Sequence, residues 1–165
     1  LQRTCFVHED QLYNDAFSVR DILAVIPAFY PTWSAETADR LVTRFRLPLD
    51  TKSKKLSRGQ RSALAITLSL ASRAAYTFLD EPYLGLDASS RSILYDELLA
   101  EYRSKCVTLG QRVRLVLPAD RELIGTAVDV DRQGRLLVAA DGGTTTAIAA
   151  GDVTHLRGFS TFEPS

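Results

Sequence analysis

Two stretches of this 165-residue chain carry side chains whose types and spacing suit phosphate chemistry. Leu56-Ser57-Arg58-Gly59-Gln60 stands directly ahead of a run rich in Ala and Leu that predicts a helix over about 59–71. A helix start offers unpaired backbone N–H groups and the positive end of the dipole. A serine hydroxyl and a glycine at that point let the backbone come close to a phosphate. The same residues would serve equally as an ordinary N-cap. The second stretch is Tyr76-Thr77-Phe78-Leu79-Asp80-Glu81-Pro82, a short apolar run ending in adjacent acids. It predicts a buried strand with carboxylates at its end. One such carboxylate can enter the coordination sphere of a divalent cation, and its neighbour can orient or deprotonate a water. The plain alternative is a strand that stops in surface acids beside a proline turn.

The elements that must position these residues fall in two regions. Residues 1–103 hold twelve of the fourteen aromatics, and residues 104–157 hold none. Seven of the nine glycines lie at or after Gly110. This break near residue 104 predicts two different folds. In the first region Ser18 caps a helix over 19–28, with Asp21 completing an approximate capping box. Pro27 and Pro31 end or break it. Ser34 caps a second helix over 35–45, Ser57 a long third one, and 88–103 forms a fourth. Short strands are expected at 5–7 and 76–79. In the second region alternation predicts strands at 112–117, 122–130, 135–140, 144–149 and 153–156, separated by turns such as Asp141-Gly142-Gly143. Five strands in about fifty residues have the size of a small closed SH3-like barrel, in which closure hides the edges. The tail, 158–165, fits neither region.

Bulk properties exclude several classes. Twenty basic residues balance twenty acidic ones, so no overall field draws the chain to nucleic acid or an anionic membrane. No run of about eighteen apolar residues occurs, the length a membrane-spanning helix requires. Two cysteines and two histidines, far apart, argue against a zinc site or disulfide framework, and Cys5 and Cys106 read as reduced cytosolic thiols. The chain has no methionine, where a frequency of roughly 2% would give about three, which points to a piece of a longer or recombined chain.

Taken together, LSRGQ, a helix, the Walker B pattern ending in Asp80-Glu81-Pro82, and Leu84-Gly85-Leu86-Asp87 closely resemble the ATP-binding subunit of an ABC transporter. LSRGQ resembles the LSGGQ signature with Arg58 in place of its first glycine, and Gly85-Leu86-Asp87 resembles the D-loop. Upstream, Phe6-Val7-His8-Glu9-Asp10 with Leu12-Tyr13 and Ser18-Val19-Arg20-Asp21 resembles the Q-loop passage, with Glu9 where many relatives carry glutamine. Phe29-Tyr30-Pro31-Thr32-Trp33 and Lys54-Lys55-Leu56-Ser57 resemble the bacterial antibiotic or multidrug exporter type. The resemblance covers about residues 3–103.

That resemblance implies an α/β fold: part of a P-loop NTPase, with the helical subdomain and the Walker B strand. It implies ATP and Mg2+ as ligands, a second ABC ATPase subunit or a homodimer, and a transmembrane permease. It places the chain in the cytoplasm, peripheral at the inner face of the cell membrane when assembled. Such subunits pair head to tail, so Ser57, Arg58, Gly59 and Gln60 would meet a nucleotide held by the partner. Asp80 would contribute to the Mg2+ site, Glu81 would serve as general base or water-orienting group, and Glu9 and Asp87 would belong to the nucleotide site. GxxxxGK[ST] occurs nowhere in the sequence, and the histidine that the family carries after the D-loop helix has no counterpart. His155 and His8 take no role. The expectation is therefore an ATP-hydrolysing subunit not competent alone.

Residues from about 98 to 157 resemble the C-terminal domain of bacterial biotin–protein ligases. The resemblance is carried by Leu99 to Gly110, Arg112-Val113-Arg114, Glu122 to Val130, Gly134-Arg135-Leu136, and Ala150-Gly151-Asp152-Val153-Thr154-His155-Leu156-Arg157. The glycine- and arginine-rich biotinyl-adenylate loop of such ligases has no counterpart, so biotin transfer by these residues alone is not expected. The helix over 92–102 fits both resemblances, so the chain reads as a chimera: 1–103 partial ABC ATPase, 104–157 β-barrel, 158–165 tail. Two other readings stand beside this one. One is a non-catalytic interaction module. The other is a ligase-related piece acting through its barrel on a biotin-acceptor protein.

Overall fold

The computed structural model describes residues 3–8, 13–118, 121–149 and 151–156. The chain forms two units, Leu1–Leu94 and Tyr95–Ser165, so the division falls inside a helix and ahead of the compositional break. Glu9 of the expected Q-loop passage and the 158–165 tail lie outside the described residues.

The first unit contains β1 (Thr4–Val7), α1 (Val19–Val25), α2 (Ala35–Arg44), α3 (Arg58–Ser72), β2 (Tyr76–Leu79) and the start of α4 (Ala88–Lys105). At α1 the capping box forms in full: the Asp21 N–H donates to Ser18 Oγ at 3.2 Å, and the Ser18 N–H donates to the Asp21 carboxylate at 2.8 Å. The helix was expected to reach residue 28 but gives way to a 3-10 turn at Ile26–Phe29. Pro27 has no N–H to offer the carbonyl four residues back, so the α ladder cannot continue. Ser34 caps α2 through the Thr37 N–H, and Ala38, Leu41 and Phe45 turn inward.

Helix α3 is the centre of this unit. Ala63 to Ser69 are all buried, as are Ala71 and Ser72, so the helix is covered on nearly every side. Its polar residues enter the core because their hydroxyls donate back to the helix: Thr67 to the Ala63 carbonyl at 2.8 Å, Ser69 to Ile66 at 2.9 Å and Ser72 to Ser69 at 2.6 Å. Its last carbonyls are met from the loop before α2, by the Thr32 hydroxyl on Ser72 at 2.7 Å and the Ser34 N–H on Ala71 at 2.7 Å.

β1 and β2 pair in parallel, with Thr4 opposite Tyr76 and Val7 opposite Leu79. Cys5 and Val7 are buried, but Phe6, Tyr76 and Phe78 are 61%, 60% and 56% exposed. This corrects the expectation of a buried Walker B strand. The strand is apolar on both faces, a pattern suited to a parallel sheet covered on both sides. Among the described residues, this pair has neither flanking strands nor a covered outer face.

The second unit carries the end of α4 and five strands: β3 (Arg112–Leu117), β4 (Arg121–Val130), β5 (Leu136–Ala140), β6 (Thr145–Ile148) and β7 (Asp152–His155). All five predicted strands are present, antiparallel throughout, in the order β6-β5-β4-β3-β7. The barrel was expected to close on itself. The described pairings instead leave β6 and β7 as the two ends of the sheet. Val113, Leu115, Ala127 and Val138 are fully buried on the inner face, with Leu117, Leu123, Leu136 and Ile148 packed around them. A β-bulge between Ala127 and Asp129 interrupts the β4–β5 register. Nearby, Gly125 lets the two strands approach, since a Cβ there would stand 2.4 Å from the Ala139 carbonyl oxygen. Arg103 near the end of α4 donates to the Val130 carbonyl at 2.6 Å and pairs with Asp129, tying the helix to the bulged strand.

Candidate functional site

The chain order α3, tight turn, β2 brings the start of the helix and the end of the strand together. α3 ends with Arg73 in the left-handed region (φ 47°), the usual device for stopping a helix. β2 then leads to Asp80 and Glu81, and the turn that follows them packs against the tip of α3. The packing is made by two glycines. A Cβ on Gly59 would lie 2.4 Å from the Gly85 carbonyl oxygen, and one on Gly85 would lie 2.9 Å from Arg58 Cγ. Gly85 also has φ +77°, where side chains are strained. The sequence reading gave Gly59 a role in approaching phosphate. The structure gives it a second one, close contact with the loop that carries Gly85.

At the tip itself Ser57 and Gln60 form a reciprocal capping box. The Gln60 N–H donates to Ser57 Oγ at 3.2 Å, and the Ser57 N–H donates to Gln60 Oε1 at 3.0 Å. Both side chains are thus held in one geometry at the helix start. Arg58 and Gly59 supply the first-turn amides that the box does not use. Ser57 and Arg58 are exposed, while Gly59 and Gln60 are half-buried.

The acid-bearing turn is tightly bonded. The Asp80 N–H extends the β ladder by donating to the Val7 carbonyl at 2.9 Å, which fixes the backbone while leaving Asp80 exposed. Glu81 is exposed and adopts φ 46°, an uncommon conformation for a residue with a Cβ. It is retained because the Leu84 N–H donates to the Glu81 carbonyl at 3.0 Å and the Leu86 N–H to Tyr83 at 3.1 Å, while Leu86 is buried. The donor chemistry of Asp80 suits Mg2+, which keeps most of its water and takes one or two carboxylates alongside substrate oxygens.

Asp87 was expected in the nucleotide site. Its carboxylate accepts the Ser90 N–H at 2.7 Å, so its structural work is to cap α4. The Ser90 N–H and hydroxyl hold it below the usual carboxylate range, with smaller help from the Ser89 N–H and Arg46. Ser62 was missed altogether. Its hydroxyl donates to the Leu84 carbonyl at 2.8 Å, from one turn into α3. No sequence signal marks it, whereas the two glycines, Gly59 and Gly85, could have suggested the close approach. A separate cavity of about 140 Å3 lies beneath β1, lined by Cys5, Val7, Tyr13, Tyr30, Leu68 and Ser69. Burial, with a hydrogen bond to Cys5, pushes the Tyr30 phenol up to about 12.

In the second unit the outer face carries paired charges. Arg112 grips Asp141 through two bonds, at 2.8 and 2.5 Å, and Arg114 likewise holds Glu122. Each guanidinium lowers the pKa of its carboxylate, chiefly by hydrogen bonding. His155 at the end of β7 meets the Thr108 hydroxyl at 3.1 Å. Among the described residues no helix is long and apolar enough to cross a membrane.

Comparison with known proteins finds a different relative for each unit. The family model described as Biotin protein ligase C terminal domain matches residues 108–156. A biotin–[acetyl-CoA-carboxylase] ligase of Mycobacterium tuberculosis is 48% identical over 61 residues, 37% of this chain and 23% of the relative. The ABC transporter ATP-binding protein YtrB of Bacillus subtilis is 29% identical over 100 residues, 58% of this chain and 34% of the relative. The chain therefore spans about a quarter to a third of the length of these curated relatives. Among solved structures, an ATP binding subunit of an ABC transporter superposes with a TM-score of 0.52 at 20% identity, covering 58% of this chain and 42% of that one. The chain thus joins a region with the fold of an ABC transporter ATP-binding subunit to a C-terminal region that the biotin protein ligase C-terminal family matches.

Proposed function

We propose that residues 1–103 form the signature-bearing half of a composite ATP site, completed by a second ATP-binding subunit. The observation that carries this reading is the capped tip of α3 packed against the turn that follows Asp80 and Glu81. In it Ser57, Arg58, Gly59 and Gln60 present the hydroxyl, the guanidinium and first-turn amides to the terminal phosphate of a nucleotide on the partner. The positive end of the helix favours that charge. Asp80 is the residue that would hold a Mg2+ ion, which when bound would neutralise phosphate charge, and Glu81 would orient or deprotonate the attacking water. Glu9 belongs to the same site through its place in the Q-loop passage. Asp87 acts there by holding the start of α4.

Without a GxxxxGK[ST] loop these residues have no lysine and no nest of amides for the β- and γ-phosphates, so they bind nucleotide only with a partner and do not turn it over alone. The assembly is peripheral to a membrane, on its cytoplasmic side, beside a permease. Residues 104–157 serve as a non-catalytic docking module. A second reading, that this module meets a biotin-acceptor protein, is supported by the 48% identity to the ligase.

The deciding experiment mixes the full chain with YtrB and measures association with and without ATP and Mg2+. ATP-dependent association is expected for the parent chain. Ser57→Asp keeps a good cap but places a negative charge at the tip, and should abolish it. Association that ignores ATP, or that survives Ser57→Asp, sinks the reading. Binding of a biotin-acceptor domain by the same chain tests the second module, and its failure leaves only the general docking role.

A further inference from the structure

The residue that joins the helix tip to the acidic turn is Ser62. Its hydroxyl lies 2.8 Å from the Leu84 carbonyl and 3.2 Å from the Arg58 carbonyl of its own helix. A hydroxyl has one proton to give, so the shorter contact to Leu84 takes it. Leu84 in turn donates its N–H to the Glu81 carbonyl at 3.0 Å. One residue thus bonds both to α3 and to the backbone of Glu81. On the same side Gly59 and Gly85 pack closely, with no room for a Cβ at either position. Glu81 itself sits at φ 46°, which the peptide keeps only while its surroundings hold it there.

We propose that Ser62 is a positioning residue: its hydrogen bond to Leu84 locks the Glu81-bearing turn to the tip of α3, so that the phosphate-facing amides and the carboxylate move as one piece. The inference rests on the proposed ATP site for its use, but the lock itself is a property of the free chain. Ser62 touches neither nucleotide nor metal in this arrangement. It acts by fixing where Glu81 points when the tip is occupied. A flexible turn would leave that carboxylate spread over several orientations and weaken its hold on a water.

Amide hydrogen exchange on the full chain, read by mass spectrometry, separates the outcomes. Ser62→Ala should speed exchange in the 80–87 segment roughly three- to tenfold, the effect of one lost hydrogen bond, and leave 63–72 unchanged. Ser62→Thr, which keeps the hydroxyl, should restore the slow rate. With YtrB and ATP, the parent chain should gain further protection in 80–87. The Ser62→Ala chain should still associate without passing that protection on. Unchanged exchange in 80–87, loosening spread equally through 63–72, or no rescue by Ser62→Thr each overturn the proposal. If no variant associates with YtrB, the ATP site reading fails, while the exchange contrast in the free chain still decides the lock.

Discussion

The two units solve the problem of exposed sheet in opposite ways. The first builds its core around a helix, with Leu64 and Ile66 fully buried on α3, and leaves its two parallel strands with Phe6, Tyr76 and Phe78 in solvent. The second builds its core on five antiparallel strands, buries Val113, Leu115 and Val138, and carries two Arg–carboxylate pairs on its outer face. Antiparallel strands can face water on one side, whereas parallel strands are ordinarily covered on both. The antiparallel unit can therefore leave its outer face in water. Among the described residues, the parallel pair lacks that cover. That contrast parallels the roles proposed for the two regions, a site completed by a partner and a docking module.

The largest test of the contrast is core truncation. Leu64→Ala should cost about 2–5 kcal/mol and unfold the first unit, while exchange protection in β3, β4 and β5 persists. Loss of protection in both units together would show one cooperative body instead. Gly125→Ala is the counterpart in the second unit, where overpacking against the Ala139 carbonyl should cost about 1–3 kcal/mol by chemical denaturation. Smaller still is the exposed face: Phe78→Ser should change stability within about 0.5 kcal/mol yet lower self-association in light scattering. A large stability loss there would mean that the face is covered.

The finest distinction is electrostatic. Asp21 and Asp87 are lowered mainly by backbone N–H groups at helix caps, Glu122 and Asp141 mainly by guanidinium groups. All four carboxylates have folded pKa values below their unfolded ones. Their stabilisation is complete above the unfolded carboxylate range near pH 4 and is lost as pH falls through the lower folded values. Carboxyl titration by NMR should show molar salt raising Glu122 and Asp141 toward ordinary values while moving Asp21 and Asp87 less. Equal salt response in both pairs would remove the distinction.

Much of this was legible from spacing. Ser18 with Asp21, and Ser57 ahead of its helix, announced two capping sites. The alternation of Val113, Leu115 and Leu117 announced a half-buried strand. These signals are local: a cap is completed within three residues, and alternation follows from the pleat. The exposure of β2 was not legible, because an apolar strand reports the environment it suits rather than the neighbours it has. Nor was the open end at β7, since strand count and size do not determine whether the last strand meets the first.

The sequence by itself determined the elements, their caps, the two regions and the residues that could meet a phosphate, because each of those depends on contacts within a turn or a strand. Only the tertiary structure decided that Gly59 rests on Gly85, that Ser62 reaches Leu84, and that Asp87 is engaged in capping α4. The first two contacts join residues more than twenty positions apart. At Asp87 the structure had to show which of several uses the carboxylate takes. The reason is physical: a hydroxyl or carboxylate bonds the nearest correctly oriented partner, and folding, not spacing, sets which one that is.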